Sequence, residues 1–457
     1  MKKYFKEDQI LFSVKKVHMI GIGGSGMCPL AEILHSKGYE ITGSDNNESD
    51  PLKMVRKIAD VYLGHDAKNV GNAELVIYSA AISKDNVELV EAINRNIPIM
   101  ERSAVLGALT RLFNNVVGVS GTHGKTTVTS LITQILIQAD FNPNAVIGGK
   151  LPLIDHYGVT GDSDIFIVES CEFADTFLRL SPDIAVVLNI DNDHMEYFKT
   201  MDNMILSYSK FISMASRAFV NGDDKLVLKA IENADNEIIT FGFNKSNDYY
   251  PINIINDENG FDFDIYYKNE ILTSITNHIP GKHNIYNALA AFSVCHYLGV
   301  PVERIADSIA QFTGAGRRFE KIGDFGFVLY DDYAHHPTEI ETTLKSAKQL
   351  GYNRVIAVFQ PFTYSRTKML KDEFIKALSI ADEIILTPIM GSREINNYDI
   401  YSEDLQRELE NSIIINSFEE IKEYIFENFH KGDLVITMGC GDIYKVCRLI
   451  SEDNLVK

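Results

Sequence analysis

The sequence predicts an α/β protein of three domains, and three observations lead there. Short apolar runs followed by longer amphipathic stretches recur along the chain, the strand-then-helix order that builds parallel sheets. Two glycine-rich turns, beginning at Gly21 and Gly121, each sit between such a run and such a stretch. At 457 residues the chain is long enough for about three domains of roughly 150 residues, each with a core of its own. Hydrophobic residues at 45% and charged residues at 23% match a globular chain and exclude wholesale disorder or a membrane channel.

The first apolar run, Val17 to Ile22, opens the segment KVHMIGIGGSGMCPLAEILHSKGYEITGSD, read as strand, turn, helix and second strand. Its turn, Gly21-Ile-Gly23-Gly24-Ser25-Gly26, fits GxGxxG, and Asp45 follows about twenty residues on, at the end of the next strand. Glycines there let the backbone approach a pyrophosphate that the helix N-terminus then stabilises, and Asp45 could accept from a sugar hydroxyl. The pattern predicts a Rossmann-like domain without identifying the nucleotide. Another strand, Leu75 to Tyr78, and the apolar stretch Ala104 to Phe113 bring this domain to its end, with boundaries of 1–107.

A new strand, Val116 to Val119, runs into Gly121-Thr122-His123-Gly124-Lys125-Thr126-Thr127, which opens a helix. Backbone N–H groups of such a turn wrap a phosphate, Lys125 adds a point charge, and the Thr126 hydroxyl suits a magnesium ion. The strict pattern asks for glycine where this chain has Val119, but the GxxGKTT core predicts nucleotide triphosphate binding. Glu169 ends the run Ile165 to Val168, and His194 follows Ile184 to Leu188 in the segment NIDNDH. Both lie at strand carboxyl ends, where α/β sheets present ligands: an oxygen donor for a hard cation and an imidazole for a second metal. The stretch Gly260 to Ile279 alternates, with Phe261, Phe263 and Ile265 on one face of an antiparallel hairpin, so the central sheet is expected to be mixed. A helix from about Asn284 to Tyr297 follows, and the central domain spans 108–316.

TGAGRRFE, Thr313 to Glu320, reads as a hinge into a third domain, 317–457, with strands at Phe327 to Tyr330, Val355 to Phe359, Glu383 to Leu386 and Leu434 to Met438. In it, Asp331-Asp332-Tyr333-Ala-His335-His336-Pro337 follows a strand and starts a helix, its carboxylates and imidazoles suited to proton transfer or to holding an amine.

Lys+Arg 43 against Asp+Glu 63 leaves a net charge of −20, which disfavours nucleic acid as a partner while leaving room for small phosphorylated ligands. The five cysteines form no CxxC pair, which suits a reducing compartment. The N-terminus lacks a signal-peptide core and no apolar run approaches membrane-spanning length, so a cytoplasmic protein that does not engage membranes is expected.

GTHGKTT, with GKHNIYNALAA (Gly281 to Ala291), GRRFE (Gly316 to Glu320) and DDYAHHPTE (Asp331 to Glu339), closely resembles the Mur ligase family of peptidoglycan synthesis. GIGGSGM, FQPFTYSRT (Phe359 to Thr367) and TMGCGDIY (Thr437 to Tyr444) look like the alanine-adding branch of that family, and the likeness spans essentially the whole chain. The resemblance implies an N-terminal domain for UDP-N-acetylmuramate, a central P-loop ATPase domain, and a Rossmann-like C-terminal domain for the amino acid. It implies that ATP phosphorylates the sugar carboxylate and that L-alanine displaces phosphate from the resulting acyl phosphate, with two magnesium ions. Position by position, it implies Lys125 on the transferring phosphate, Thr126 and Glu169 on one ion, and Glu169 and His194 on a second. His283, Asn284, Asn287 and Arg318 would contact ATP along with Gly121 to Thr127, Asp332 would take part in catalysis, and Tyr333, His335 and Arg366 would hold the amino acid. Gly21, Gly23, Gly24, Ser25, Gly26, Met27, Asp45 and Ser79 would hold the UDP-sugar. A monomer or a homodimer is expected.

The chain departs from the family in places. Where the better-known pattern reads EADESD, this chain has Glu169-Ser-Cys171-Glu172-Phe173-Ala, and Phe362 and Thr363 stand where the family has His and, in some members, a second Arg. The choice of L-alanine over glycine or L-serine therefore stays open. A related ligase that joins a whole peptide, a noncatalytic sensor of the UDP-sugar, and a dehydrogenase using the first turn are the alternatives. The last leaves GTHGKTT, Glu169 and His194 without a role.

Overall fold

The computed structural model describes residues 5–257, 260–392 and 394–455. Among these residues the strands form three sheets. The first contains β1 (Lys16–Ile20), β2 (Glu40–Asp45), β3 (Asp60–Leu63), β4 (Leu75–Tyr78) and β5 (Ile99–Glu101) in the order β3-β2-β1-β4-β5, every pairing parallel. Strand order reverses between β1 and β4, so a crevice opens beyond their carboxyl ends, where ligands of open α/β sheets bind. Gly21 follows β1 there and Ser79 follows β4.

The central sheet contains β6 (Asn115–Ser120), β7 (Asn144–Leu151), β8 (His156–Val159), β9 (Ile165–Glu169), β10 (Ile184–Val187), β11 (Arg217–Asn221), β12 (Glu237–Phe241), β13 (Tyr249–Asp257), β14 (Gly260–Tyr267) and β15 (Glu270–Asn277). Their order is β15-β14-β13-β12-β11-β10-β6-β9-β7-β8, and the sheet is mixed as expected: β6 pairs parallel with β9 and β10, whereas β7 and β8 are antiparallel. Val116, Val117 and Val119 of β6 and all four residues of β10 are buried, the near-continuous apolar run of a strand covered on both faces. The expected hairpin is β14 and β15, with Phe261, Phe263 and Ile265 buried, but a strand not foreseen, β13, precedes it.

The third sheet contains β16 (Glu320–Asp324), β17 (Val328–Asp332), β18 (Arg354–Phe359), β19 (Glu383–Leu386), β20 (Ser412–Ile414) and β21 (Asp433–Met438) in the order β16-β17-β21-β18-β19-β20. Only β16 runs antiparallel to its neighbour. It begins at Glu320, the last residue of the stretch expected to be a hinge. Its residues, EKIGD, are all half-buried or exposed, so an edge strand here carries no apolar signature.

The described chain forms two compact units. One runs through Ile254 and includes Asp262–Thr276 and Ile285–Phe312; the other comprises Ile255–Phe261, Asn277–Asn284 and the chain from Thr313. Within the first unit the first two sheets share one continuous core, reaching from Leu11 and Val17 to Phe211 and Val227. The helix Arg102–Thr110, buried from Ser103 onward, leads from one sheet to the other. Just after it, Arg111 Nε donates to Asp8 Oδ2 at 2.6 Å and Nη1 to the Arg179 carbonyl at 2.9 Å, which satisfies a buried charge from both sides.

Candidate functional site

At the first switch point the turn after β1 is held from below. Gly21 adopts φ +77°, a left-handed conformation open to glycine without strain, and the Ser79 Cβ lies 3.4 Å from where a Gly21 side chain would begin. Gly23 N–H donates to Asp45 Oδ2 and Asn47 N–H to Asp45 Oδ1, both at 3.0 Å, so the carboxylate expected to face a sugar braces the turn in this state. Gly24 and Ser25 are exposed at the tip, while Met27 is buried and its N–H donates to the Gly24 carbonyl at 2.9 Å. The Arg102 guanidinium, which the sequence did not flag, lies against Gly26, Nη1 3.0 Å from the site of a Cβ there. A cation over a glycine turn is what a diphosphate requires.

The second turn joins β6 to the helix Lys125–Gln138. Gly124 sits at the N-cap with φ +86°, and a Cβ there would come 2.8 Å from Asn287 Oδ1, so Asn287 lies against the loop. The loop is tied to the segment after β10: Thr122 N–H donates to the Asn189 carbonyl (3.1 Å), His123 N–H to Asn189 Oδ1 (2.8 Å), and Asp191 N–H to Thr122 Oγ1 (2.8 Å). His123 Nε2 stands 3.0 Å from Asp191 Oδ2. Asn189 and Asp191 thus position the loop; they lay in the segment quoted for His194 but carried no motif of their own.

Lys125 Nζ donates to the Gly121 carbonyl at 2.6 Å and to Glu172 Oε2 at 2.9 Å. Burial is the largest influence on Lys125 and would lower its pKa, but the surrounding acidic groups, Glu172 foremost, together with the Glu172 hydrogen bond outweigh it, so the pKa is raised and Lys125 stays cationic. Thr126 Oγ1 donates to Glu169 Oε1 at 3.1 Å, and Gly148 N–H to Glu169 Oε2 at 2.9 Å. Adjacent oxygens around a magnesium ion lie about 3 Å apart, so hydroxyl and carboxylate already have the spacing of two neighbouring ligands. Thr127 follows on the same helix. His194, with φ +57°, has Nδ1 3.3 Å from Glu196 Oε1 and Nε2 3.7 Å from Asp193 Oδ2, and its ring packs 4.8 Å from that of Phe173. The ring therefore meets the substituted stretch Cys171–Phe173 through Phe173.

In the second unit, Asp332 ends β17, buried. Its carboxylate accepts from Phe319 N–H and Ala334 N–H, both at 2.6 Å. Burial pushes its pKa up to about 6, against the pull of Arg318 and the two backbone donors. The Arg318 guanidinium lies 4.9 Å over the Tyr333 ring and 3.8 Å from Glu339. His335 Nδ1 is 3.1 Å from both the Tyr333 carbonyl and Glu339 Oε2, so it bears the proton. Glu339 also accepts from His335 and His336 N–H, at 3.1 and 3.3 Å, capping the helix Pro337–Gln349. One carboxylate thus joins Arg318, His335 and the helix start, a role visible in the sequence only as the capping spacing of His336 and Glu339. Arg317, also unflagged, donates to Asp331 Oδ2 (2.8 Å) and the Gly439 carbonyl (2.6 Å) between the rings of Tyr333 and Tyr444.

Arg318, Asp332, Tyr333 and His335 are thereby brought together. Arg366 turns back on its own segment, donating to the Phe362 carbonyl at 3.0 Å. His283 and Asn284 hold the turn before the helix His283–Tyr297, where Asn284 Nδ2 donates to the Pro280 carbonyl at 2.7 Å.

Three family models cover most of the chain: the Mur ligase family catalytic domain over residues 16–114, the Mur ligase middle domain over 119–295, and the Mur ligase glutamate ligase domain over 317–441. The UDP-N-acetylmuramate--L-alanine ligase of Caldicellulosiruptor bescii is 43% identical over 454 residues, 97% of this chain and 100% of that one. The crystal structure of the UDP-N-acetylmuramate-alanine ligase MurC of Thermotoga maritima superposes with a TM-score of 0.82 at 25% identity, over 96% of this chain and 99% of that one. A murein peptide ligase from Psychrobacter arcticus shares the fold, with a TM-score of 0.77 at 21% identity over 96% and 98% of the two chains.

Proposed function

The chain belongs to the Mur ligase family, and on that footing we propose that it joins L-alanine to the carboxylate of UDP-N-acetylmuramate at the expense of ATP, a step of peptidoglycan precursor synthesis. The observation that carries this reading is the convergence of Lys125, Thr126 and Glu169 at one helix start, in a chain alike from end to end to an alanine-adding ligase. We assign the UDP-sugar to residues 1–107, ATP to 108–316 and the amino acid to 317–457.

A carboxylate resists attack by an amine because its leaving group would be oxide, so it must first be activated. The γ-phosphoryl group of ATP passes to a carboxylate oxygen, giving an acyl phosphate and ADP. The alanine amine then attacks the acyl carbon, and the tetrahedral intermediate expels phosphate as the amide forms. Little of this needs covalent help from the protein; it needs positioning and neutralised charge. Lys125 exchanges Glu172 for the γ-phosphate and carries its developing charge. Thr126 and Glu169 would hold magnesium, which when bound would offset the repulsion between phosphate and carboxylate. A second ion, for which Glu169 and His194 would supply ligands, belongs to the same proposal.

Gly21, Gly23, Gly24, Ser25, Gly26, Met27, Asp45 and Ser79 cradle the UDP-sugar, joined by Arg102. Tyr333, His335 and Arg366 receive the amino acid, whose carboxylate suits the arginine, while Asn284, His283, Asn287 and Arg318 contact ATP. Asp332, with its pKa near 6, takes the proton the alanine ammonium must lose, being a stronger base than an ordinary aspartate.

The test is phosphate release from Mg-ATP with UDP-N-acetylmuramate, adding L-alanine, glycine, L-serine or the murein tripeptide in turn. Release that needs both the UDP-sugar and L-alanine is expected. Release with the tripeptide alone would place the chain with the peptide-joining ligases, and no release with any acceptor would make it a sensor.

A further inference from the structure

The helix Cys28–Ser36 and β8 bring together three side chains that the ligase chemistry does not use. Cys28 opens the helix and Glu32 stands four residues on, so thiol and carboxylate share one face. His156 is the first residue of β8, and its Nε2 lies 3.0 Å from Glu32 Oε1. The Cys28 sulfur, a Glu32 oxygen and an imidazole nitrogen all fall within 4.8 Å of one another. Main-chain packing enforces the approach: a Cβ on Gly158, two residues beyond His156, would come 2.6 Å from the Pro29 Cβ. Cys28 is fully buried, whereas the Glu32 and His156 side chains remain 22% and 23% exposed, so solvent reaches the cluster at the carboxylate and imidazole.

We propose that Cys28, Glu32 and His156 form a zinc site that ties the helix after the first glycine turn to the edge of the central sheet. Sulfur, nitrogen and oxygen donors together suit a borderline-soft ion and not magnesium, which selects oxygen. Donors around tetrahedral zinc stand about 3.3–3.8 Å apart; Glu32 and His156, at 3.0 Å, are already that near, and the Cys28 sulfur, within 4.8 Å of both, has at most roughly 1 Å to close, within reach of side-chain rotation. Water from the exposed side takes the fourth position. As the sulfur–zinc bond forms, the thiol proton passes to solvent. The consequence is mechanical: the turn Gly21–Met27 is continuous with the helix the ion would pin, independently of whether ATP is bound.

The test is titration of the full chain with cobalt(II), a spectroscopic stand-in for zinc, in excess magnesium, followed by displacement with zinc. One cobalt per chain is expected, with a thiolate-to-cobalt charge-transfer band and tetrahedral ligand-field bands that zinc abolishes. Cys28→Ser is expected to lose the charge-transfer band, and His156→Gln, at the solvent edge, to weaken zinc at least tenfold against a chromophoric chelator. Absence of the band in the unaltered chain overturns the site. So does a band that persists in folded Cys28→Ser, which would put the thiolate elsewhere, or equal zinc affinity in His156→Gln.

Discussion

Lys125 and Glu172 form a pair whose meaning comes from what each residue faces without nucleotide. Glu172 is 1% exposed and Lys125 15%, so a charge left alone there costs about 3 kcal/mol or more. Glu172→Gln keeps the shape and removes the charge. It is expected to lower Tm in thermal melts, and Mg-ATP is expected to restore more stability to the variant than it adds to the unaltered protein, because the γ-phosphate replaces the missing carboxylate. An equal Mg-ATP shift in both proteins would mean that Lys125 does not meet the phosphate. Asp332 gives a second expectation. With its pKa raised to about 6, the buried group stays protonated in the folded state where an unfolded aspartate would ionise. Its stabilising contribution is therefore complete below the ordinary aspartate range, near pH 4, and is lost as pH rises through 6. In its proposed role as base, activity runs the other way, since only the ionised form accepts a proton. The profile of kcat against pH is expected to fall below an inflection near 6, and Asp332→Asn to lose at least a hundredfold in kcat along with that inflection. At this scale the sequence was most legible where a backbone conformation or a charge is irreplaceable, as at Gly124, Lys125 and Asp332. It was least legible for Glu172, Arg102, Glu339 and Arg317. Their residue types are ordinary, and their roles come from neighbours far along the chain.

At the scale of elements, the strands that announced themselves are those covered on both faces, such as β6, β10 and β21, where burial demands a continuous apolar run. β13 and β16 escaped notice for the opposite reason. β13 carries Pro251 and two asparagines, and β16 is a polar edge strand, so neither shows the apolar pattern by which a strand is recognised. The turn Gly121–Thr127 was readable because its glycines mark a special backbone shape, left-handed at Gly124, and that shape can be tested as an element. Gly124→Ala places a Cβ 2.8 Å from Asn287 Oδ1 and 3.2 Å from Leu188 Cδ1 on a residue at φ +86°. The left-handed conformation costs an alanine about 1–2 kcal/mol before any clash. The variant is expected to melt at lower temperature and to raise KM for ATP at least tenfold, with KM for L-alanine little changed. A normal KM for ATP would show that the loop does not hold the nucleotide.

At the scale of the whole molecule, the proposed function puts two nucleotides on one device, a glycine turn between a core strand and a helix, found once on each of two sheets. The turns differ in what surrounds them. The first has Arg102 and Asp45 and the second Lys125, Thr126 and Glu169, so under the proposed function one would offer a fixed cation to a diphosphate and the other an oxygen pair to a metal as well. A net charge of −20 does not oppose either proposed ligand, because each phosphate would meet local donors in place of the average field. If the sites are separate in this sense, a change confined to one leaves binding at the other intact. Lys125→Ala is expected to abolish phosphate release while calorimetry finds UDP-N-acetylmuramate bound within about twofold of its normal Kd, well under the tenfold that 1.4 kcal/mol would produce. Loss of sugar binding in a folded Lys125→Ala protein would mean that the two turns act as one site, and the assignment of the UDP-sugar to the first sheet would fail with it.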